Sequence, residues 1–132
     1  MTTLTQQELD DRRSDPRVGF KVPAHILLGS NETLHKGYVL NLSETGALVM
    51  MDTGIPVGKN VHMQFKVPPN VICETRGAVA HIMDMGIYQG IGVSFNYAND
   101  AYHNFFRNLA VAKPTDIMHF VRDMGRITVR IA

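Results

Sequence analysis

From Val18 onward apolar residues recur at every second position. Phe20, Val22, Ala24, Ile26 and Leu28 share one parity, as a half-buried strand requires. Pro23 lacks an amide donor, so this strand is expected at an edge or at a bulge. Gly29-Ser30-Asn31-Glu32 then turns the chain into a second strand near His35–Leu42, expected to carry Tyr38, Leu40 and Leu42 on one side. Ser43–Gly46 turns it again into a third, Ala47–Met51. The stretch Asp52–Asn60 is dense in turn residues, and a fourth strand follows with Val61, Met63, Phe65 and Val67 alternating. Pro68-Pro69-Asn70 ends it. The fifth runs from Val71 to about Met83, with Gly77 marking a bulge or bend. Asp84-Met85-Gly86 makes the next turn, and Ile87–Phe95 is the sixth strand. Six strands joined by hairpin-like turns predict a mainly β fold, a six-stranded antiparallel (split) barrel.

The period changes at Asn99-Asp100. Either residue can cap a helix whose apolar stripe is Tyr102, Phe105, Phe106, Leu109 and Ala110, and Pro114 stops it. Thr115 or Asp116 is expected to cap a shorter helix that turns Ile117, Phe120, Val121 and Met124 inward. Gly125 ends this helix, and Ile127, Val129 and Ile131 alternate like one more strand. Residues 1–17 have few apolar anchors and read as a mobile N-terminal arm. Residues 18–132 read as one barrel domain with a C-terminal helical extension that finishes the core.

Bulk composition bounds the function. At 132 residues, 45% hydrophobic and 19% charged, the chain is long enough for one domain with a real core. A formal charge of +1 excludes a generally basic nucleic-acid binder, so any anion binding must be local. The single cysteine, Cys73, cannot form an internal disulfide, which suits a reducing compartment. The N-terminus is polar and acidic, unlike a secretory leader. The longest apolar run, Ala47–Met51, is too short to cross a bilayer. The expectation is a soluble cytoplasmic protein without membrane contact.

The enzyme templates fail one by one. The sequence has no Cys-x-x-Cys, no His-Glu-x-x-His and no P-loop pattern. Gly92-Val93-Ser94-Phe95-Asn96 begins like a nucleophile elbow and then lacks its second glycine. The six histidines are scattered without metal-ligand spacing, and the eight methionines read as core filler. No catalytic constellation or metal site is expected.

That leaves the arginines. Arg12-Arg13-Ser14-Asp15-Pro16-Arg17 clusters three guanidinium groups on a segment that Pro16 keeps from being helical throughout. Spacing alone is a weak signal, because Arg-x-x-x-Arg recurs at Arg122/Arg126 and Arg126/Arg130. A second element raises its weight. Asn41-x-Ser43-x-x-Gly46 puts an amide, a hydroxyl and a glycine at a tight turn between two strands. A guanidinium fork donates in pairs to guanine O6 and N7 or to a phosphate, and its plane stacks on a base. Asn41 can accept from the guanine N1 or N2 edge, and the Ser43 hydroxyl can meet a phosphate oxygen. Gly46 permits positive φ and a close backbone approach. Together these residues suit a planar, anionic, guanine-like ligand.

At these residues the sequence resembles the PilZ domain family of bacterial cyclic di-GMP receptors. The family pattern is Arg-x-x-x-Arg before the first strand, then Asp/Asn-x-Ser-x-x-Gly between the second and third. Arg13, Arg17, Asn41, Ser43 and Gly46 fill it in order. Gly92-Val93-Ser94-Phe95 is similar to the family's Gly-Val-x-Phe segment, and the resemblance covers roughly Asp11 to Ala112. It implies that Arg13 and Arg17 grip guanine and phosphate while Asn41 and Ser43 hold the other side. In the family an arginine at the place of Arg12 goes with two mutually intercalated ligand molecules. Asn41 stands where aspartate would accept from both N1–H and N2–H, and an amide offers one acceptor.

The resemblance implies a non-catalytic receptor that needs no cofactor. It would bind cyclic di-GMP and signal in trans to a downstream protein that the sequence does not identify. The alternative is a nucleotide-independent interaction module of the same fold. A barrel binding DNA or RNA would want aromatic and basic residues interleaved on exposed strands, and these strands carry few lysines and arginines. Nothing in the sequence specifies an oligomeric state.

Overall fold

The alternation that begins at Val18 closes into a barrel. The computed structural model describes residues 17–132, so Arg12 and Arg13, with the rest of residues 1–16, lie outside the described residues. Seven strands follow in chain order: β1 Val18–Leu28, β2 Thr33–Leu42, β3 Gly46–Met51, β4 Asn60–Val67, β5 Val71–Met85, β6 Tyr88–Ala98 and β7 Ile127–Ile131. Two helices, α1 Asp100–Val111 and α2 Pro114–Asp123, stand between β6 and β7. Around the barrel the order is β1-β2-β3-β6-β5-β4-β7. The six expected strands form, and the C-terminal alternation supplies a seventh that closes the ring. It runs parallel to β1, pairing Ala24 with Ile127, and antiparallel to β4, pairing Met63 with Val129.

Not every connection is a hairpin. β3 pairs with β6 rather than with β4, so the chain crosses between them through Asp52–Lys59. Ile55 pins this crossing: its side chain is buried, and its amide donates to Gln89 Oε1 at 3.0 Å. The faces of β1 follow the expected parity, with Val22, Ala24 and Ile26 buried. Pro23 follows a bulge between Gly19 and Val22 and precedes the first residue paired with β7. On β2 the expected face is corrected. Gly37 and Val39 point inward, then a bulge between Val39 and Asn41 resets the parity so that Leu42 is buried while Tyr38 and Leu40 are only partly so. An extra residue in one strand reverses every later side chain, which period-2 counting cannot register. Gly77 meets the opposite demand, since a Cβ there would overlap the Ser94 carbonyl at the β5–β6 bulge.

The core is one cluster of inward residues from all seven strands, covered at one end by α1. Asn99 caps α1: its Oδ1 accepts from Tyr102 N at 3.0 Å and from Glu74 N at 3.1 Å, fastening the helix to β5. Tyr102, Phe105, Phe106 and Leu109 are buried as expected, whereas Ala110 is exposed. Phe65 from β4 meets Tyr102 and Phe105 edge-on, with centroids 6.3 and 5.2 Å apart. α2 starts two or three residues earlier than its polar residues suggest. Lys113 is the N-cap without a side-chain bond and Pro114 takes N1, where its missing amide costs nothing. Met124 is buried, and Gly125 turns the chain with φ +60 into β7.

Cys73 sits inside this cluster, and burial pushes its thiol from the ordinary 9.0 up to about 11. The unfolded thiol ionises first as pH rises. The contribution to stability is therefore full below about 9 and lost as pH climbs through about 11. Thiol reagents at neutral pH are expected to leave the native protein unmodified and to label one thiol after denaturation. Stoichiometric labelling of the native protein would contradict this burial.

Candidate functional site

The Asn41–Gly46 segment lies where three strands meet. Val18 pairs with Leu42 and Gly19 with Asn41, so Arg17, exposed at the start of β1, stands beside the entry to the turn. Gly46 pairs with Ser94 on β6, and Thr45 O accepts from Phe95 N at 2.7 Å. Two bulges flank Asn41, one in β1 after Gly19 and one in β2 after Val39. Bulges re-aim side chains, and the consequence here is chemical. Asn41 Oδ1 is buried with no hydrogen-bond partner among the described residues. An acceptor left so costs about 1–3 kcal/mol.

The turn itself is tightly tied. Ser43 is 1% exposed; its amide donates to Gly46 O at 2.9 Å and its hydroxyl to the same oxygen at 3.3 Å. Thr45 N donates to Ser43 Oγ, also at 3.3 Å. The hydroxyl expected to face a ligand is thus engaged inside the turn and shapes it. Gly46 also departs from expectation, because its φ is not among the positive ones. Close approach is what requires it: a Cβ there would lie 2.5 Å from Val93 O on the neighbouring strand.

Two contacts absent from the sequence reading tie this turn to α1. The Tyr102 hydroxyl, in the barrel end, donates to Ser43 O at 2.6 Å. Glu44 lies 3.5 Å from Arg107 Nε and 3.8 Å from His103 Nδ1. The signal for the first was one phenol in a stripe of phenylalanines, because a buried tyrosine hydroxyl needs a partner. Of the six expected residues, the structure brings Arg17, Asn41, Ser43 and Gly46 to one end of the β1–β2–β3 sheet, and Arg12 and Arg13 lie outside the described residues.

A family model described as PilZ domain matches residues 11–110. The chain belongs to the PilZ domain family. PilZ domains are cyclic di-GMP receptor and adaptor modules, so the family assignment and the barrel agree with the resemblance drawn from Arg13, Arg17, Asn41, Ser43 and Gly46. No curated protein matches the chain.

A separate concavity of about 500 Å³ lies on the outer wall of this PilZ barrel, between Leu27, Asn60, His62, Arg76, Asn96 and Arg130. It is a defined hollow, yet none of Arg17, Asn41, Ser43 and Gly46 lines it. Its arginines are already matched by carboxylates, Arg130 to Glu32 at 3.2 Å and Arg76 to Glu74 at 3.0 Å. Among the described residues no helix is long and apolar enough to cross a membrane.

Proposed function

We propose that this chain is a cytoplasmic cyclic di-GMP receptor that signals to a protein partner in trans and catalyses no reaction. The observation that carries the reading is the buried, unpartnered Oδ1 of Asn41, on the strand that pairs with the start of β1 just after Arg17. A guanine N1–H or N2–H supplies the donor this oxygen lacks. Arg13 and Arg17 grip guanine and phosphate with their forks, and Ser43 and Gly46 hold the backbone that faces them. Arg12 supplies a third guanidinium for a second, intercalated dinucleotide. Engagement of the arginine segment changes the surface offered to the partner. Five of the seven residues from Ile82 to Tyr88 are apolar and exposed, which gives such a partner something to meet.

Calorimetric titration with cyclic di-GMP tests the reading, with GTP and cyclic di-AMP as controls. The expected result is selective binding that saturates at two ligands per chain. Saturation at one removes the role given to Arg12. No binding to cyclic di-GMP would replace the receptor with a nucleotide-independent interaction module of the same fold.

A further inference from the structure

The orientation of the Ser43–Glu44 peptide in the Asn41–Gly46 turn is set from inside the core. The Ser43 carbonyl accepts from the Tyr102 hydroxyl at 2.6 Å, and Tyr102 is fully buried. Its ring has little freedom, with the Phe95 ring edge-on at 5.6 Å, Phe65 at 6.3 Å and Phe106 stacked at 6.4 Å. The carbonyl therefore points into the barrel end. The Ser43–Glu44 peptide is trans and planar, so the Glu44 N–H must point the opposite way, out of the core. That amide has no partner among the described residues, whereas Ser43 N and Thr45 N are both consumed within the turn.

The Glu44 side chain would oppose an anion here, but Arg107 on α1, with Nε 3.5 Å away, draws its carboxylate toward the helix. What remains on the outer side is an N–H donor in the turn that follows Asn41 and Leu42, whose strand pairs with the start of β1. Backbone amides fixed in this way are good donors to phosphate oxygens.

We infer that Tyr102 is a positioning residue for the binding turn: its hydrogen bond to Ser43 aims the Glu44 backbone N–H at a phosphodiester oxygen of the bound nucleotide. The inference rests on the receptor reading above, and it adds a binding group at a position the second motif leaves unspecified.

The test is a titration of the uniformly ¹⁵N-labelled chain with cyclic di-GMP, followed by NMR and calorimetry. In the wild type the Glu44 amide proton is expected to move downfield on saturation. Tyr102→Phe keeps the ring packing and removes the hydroxyl, and it should weaken binding about 3- to 10-fold, the worth of one neutral hydrogen bond. It should also displace the Glu44 and Thr45 amide resonances before ligand is added. Ile131→Val, a core truncation on β7, should cost stability and leave affinity unchanged, separating aim from mere destabilisation. A Glu44 amide unmoved by ligand in the wild type overturns the inference without need of any variant. So does wild-type affinity in Tyr102→Phe, and in either case the receptor reading stands. Absence of wild-type binding removes both.

Discussion

Arg17→Ala is expected to abolish detectable cyclic di-GMP binding at micromolar ligand, and Arg13→Ala to do the same. One bidentate guanidinium contact to a base contributes about 1–3 kcal/mol, which is about one to two decades in affinity. In the proposed site each arginine meets base and phosphate together, so truncation removes two charge-assisted contacts at once. The Asn41 amide offers a single acceptor where aspartate would offer two, which leaves more of the binding to the arginines. The chain contains its own control. Arg126 and Arg130 repeat the four-residue spacing on β7 and the turn before it, and Arg130 is committed to Glu32 at 3.2 Å. Alanine at Arg126 or Arg130 should leave affinity at the wild-type value. Calorimetry on the four variants decides the matter, and wild-type affinity in both Arg13→Ala and Arg17→Ala would refute the site.

Ending the chain after Arg126 should be more damaging than any binding-site change. β7 buries Ile127, Val129 and Ile131, which are 0, 1 and 2% exposed. At about 1.5–3 kcal/mol for each fully buried side chain, the three contribute about 5–9 kcal/mol. The whole stability of a domain is about 5–15 kcal/mol. The truncation also strips the hydrogen-bonding partners from one side of β1 and of β4, opening two strand edges in a barrel that otherwise has none there. The expected product has no cooperative thermal transition and partitions to the insoluble fraction. A wild-type-like melting curve by circular dichroism would show that β7 is dispensable. The family match ends at residue 110, before this strand, so a fragment cut at that boundary is expected to fail in the same way.

The barrel was readable because its strands alternate cleanly where they are regular. Phe20 to Leu28 and Val61 to Val67 needed only a count of two, and Gly77 announced its own bulge by having no side chain. The face of β2 was misread because an inserted residue between Val39 and Asn41 leaves no mark in composition. The β3-to-β4 crossing was misread for a different reason: turn-rich residues announce that the chain bends, not where it goes next. At the site, Asn41, Ser43 and Gly46 carried the signal, but the reasons assigned to two of them shift. Ser43 is turned inward to close the turn, and Gly46 answers to the Val93 carbonyl rather than to positive φ. Tyr102 was assigned to the core by its spacing. Its bond to Ser43 spans 59 positions in the chain, a contact no local pattern encodes.

The parallel pairing of β1 with β7 joins Ala24 to Ile127, residues roughly a hundred positions apart, and it has a consequence for how this protein is made. The contact that closes the ring is among the least local in the molecule, and such contacts form slowly because a long loop must be ordered first. During synthesis β1 through β6 emerge while the strand that shields β1 and β4 is still missing. For that interval the nascent chain presents two open edges of the kind that pair between molecules. The vulnerable moment of this barrel is its birth, and slower elongation before Ile127 should raise the yield of aggregate without any change in the finished fold.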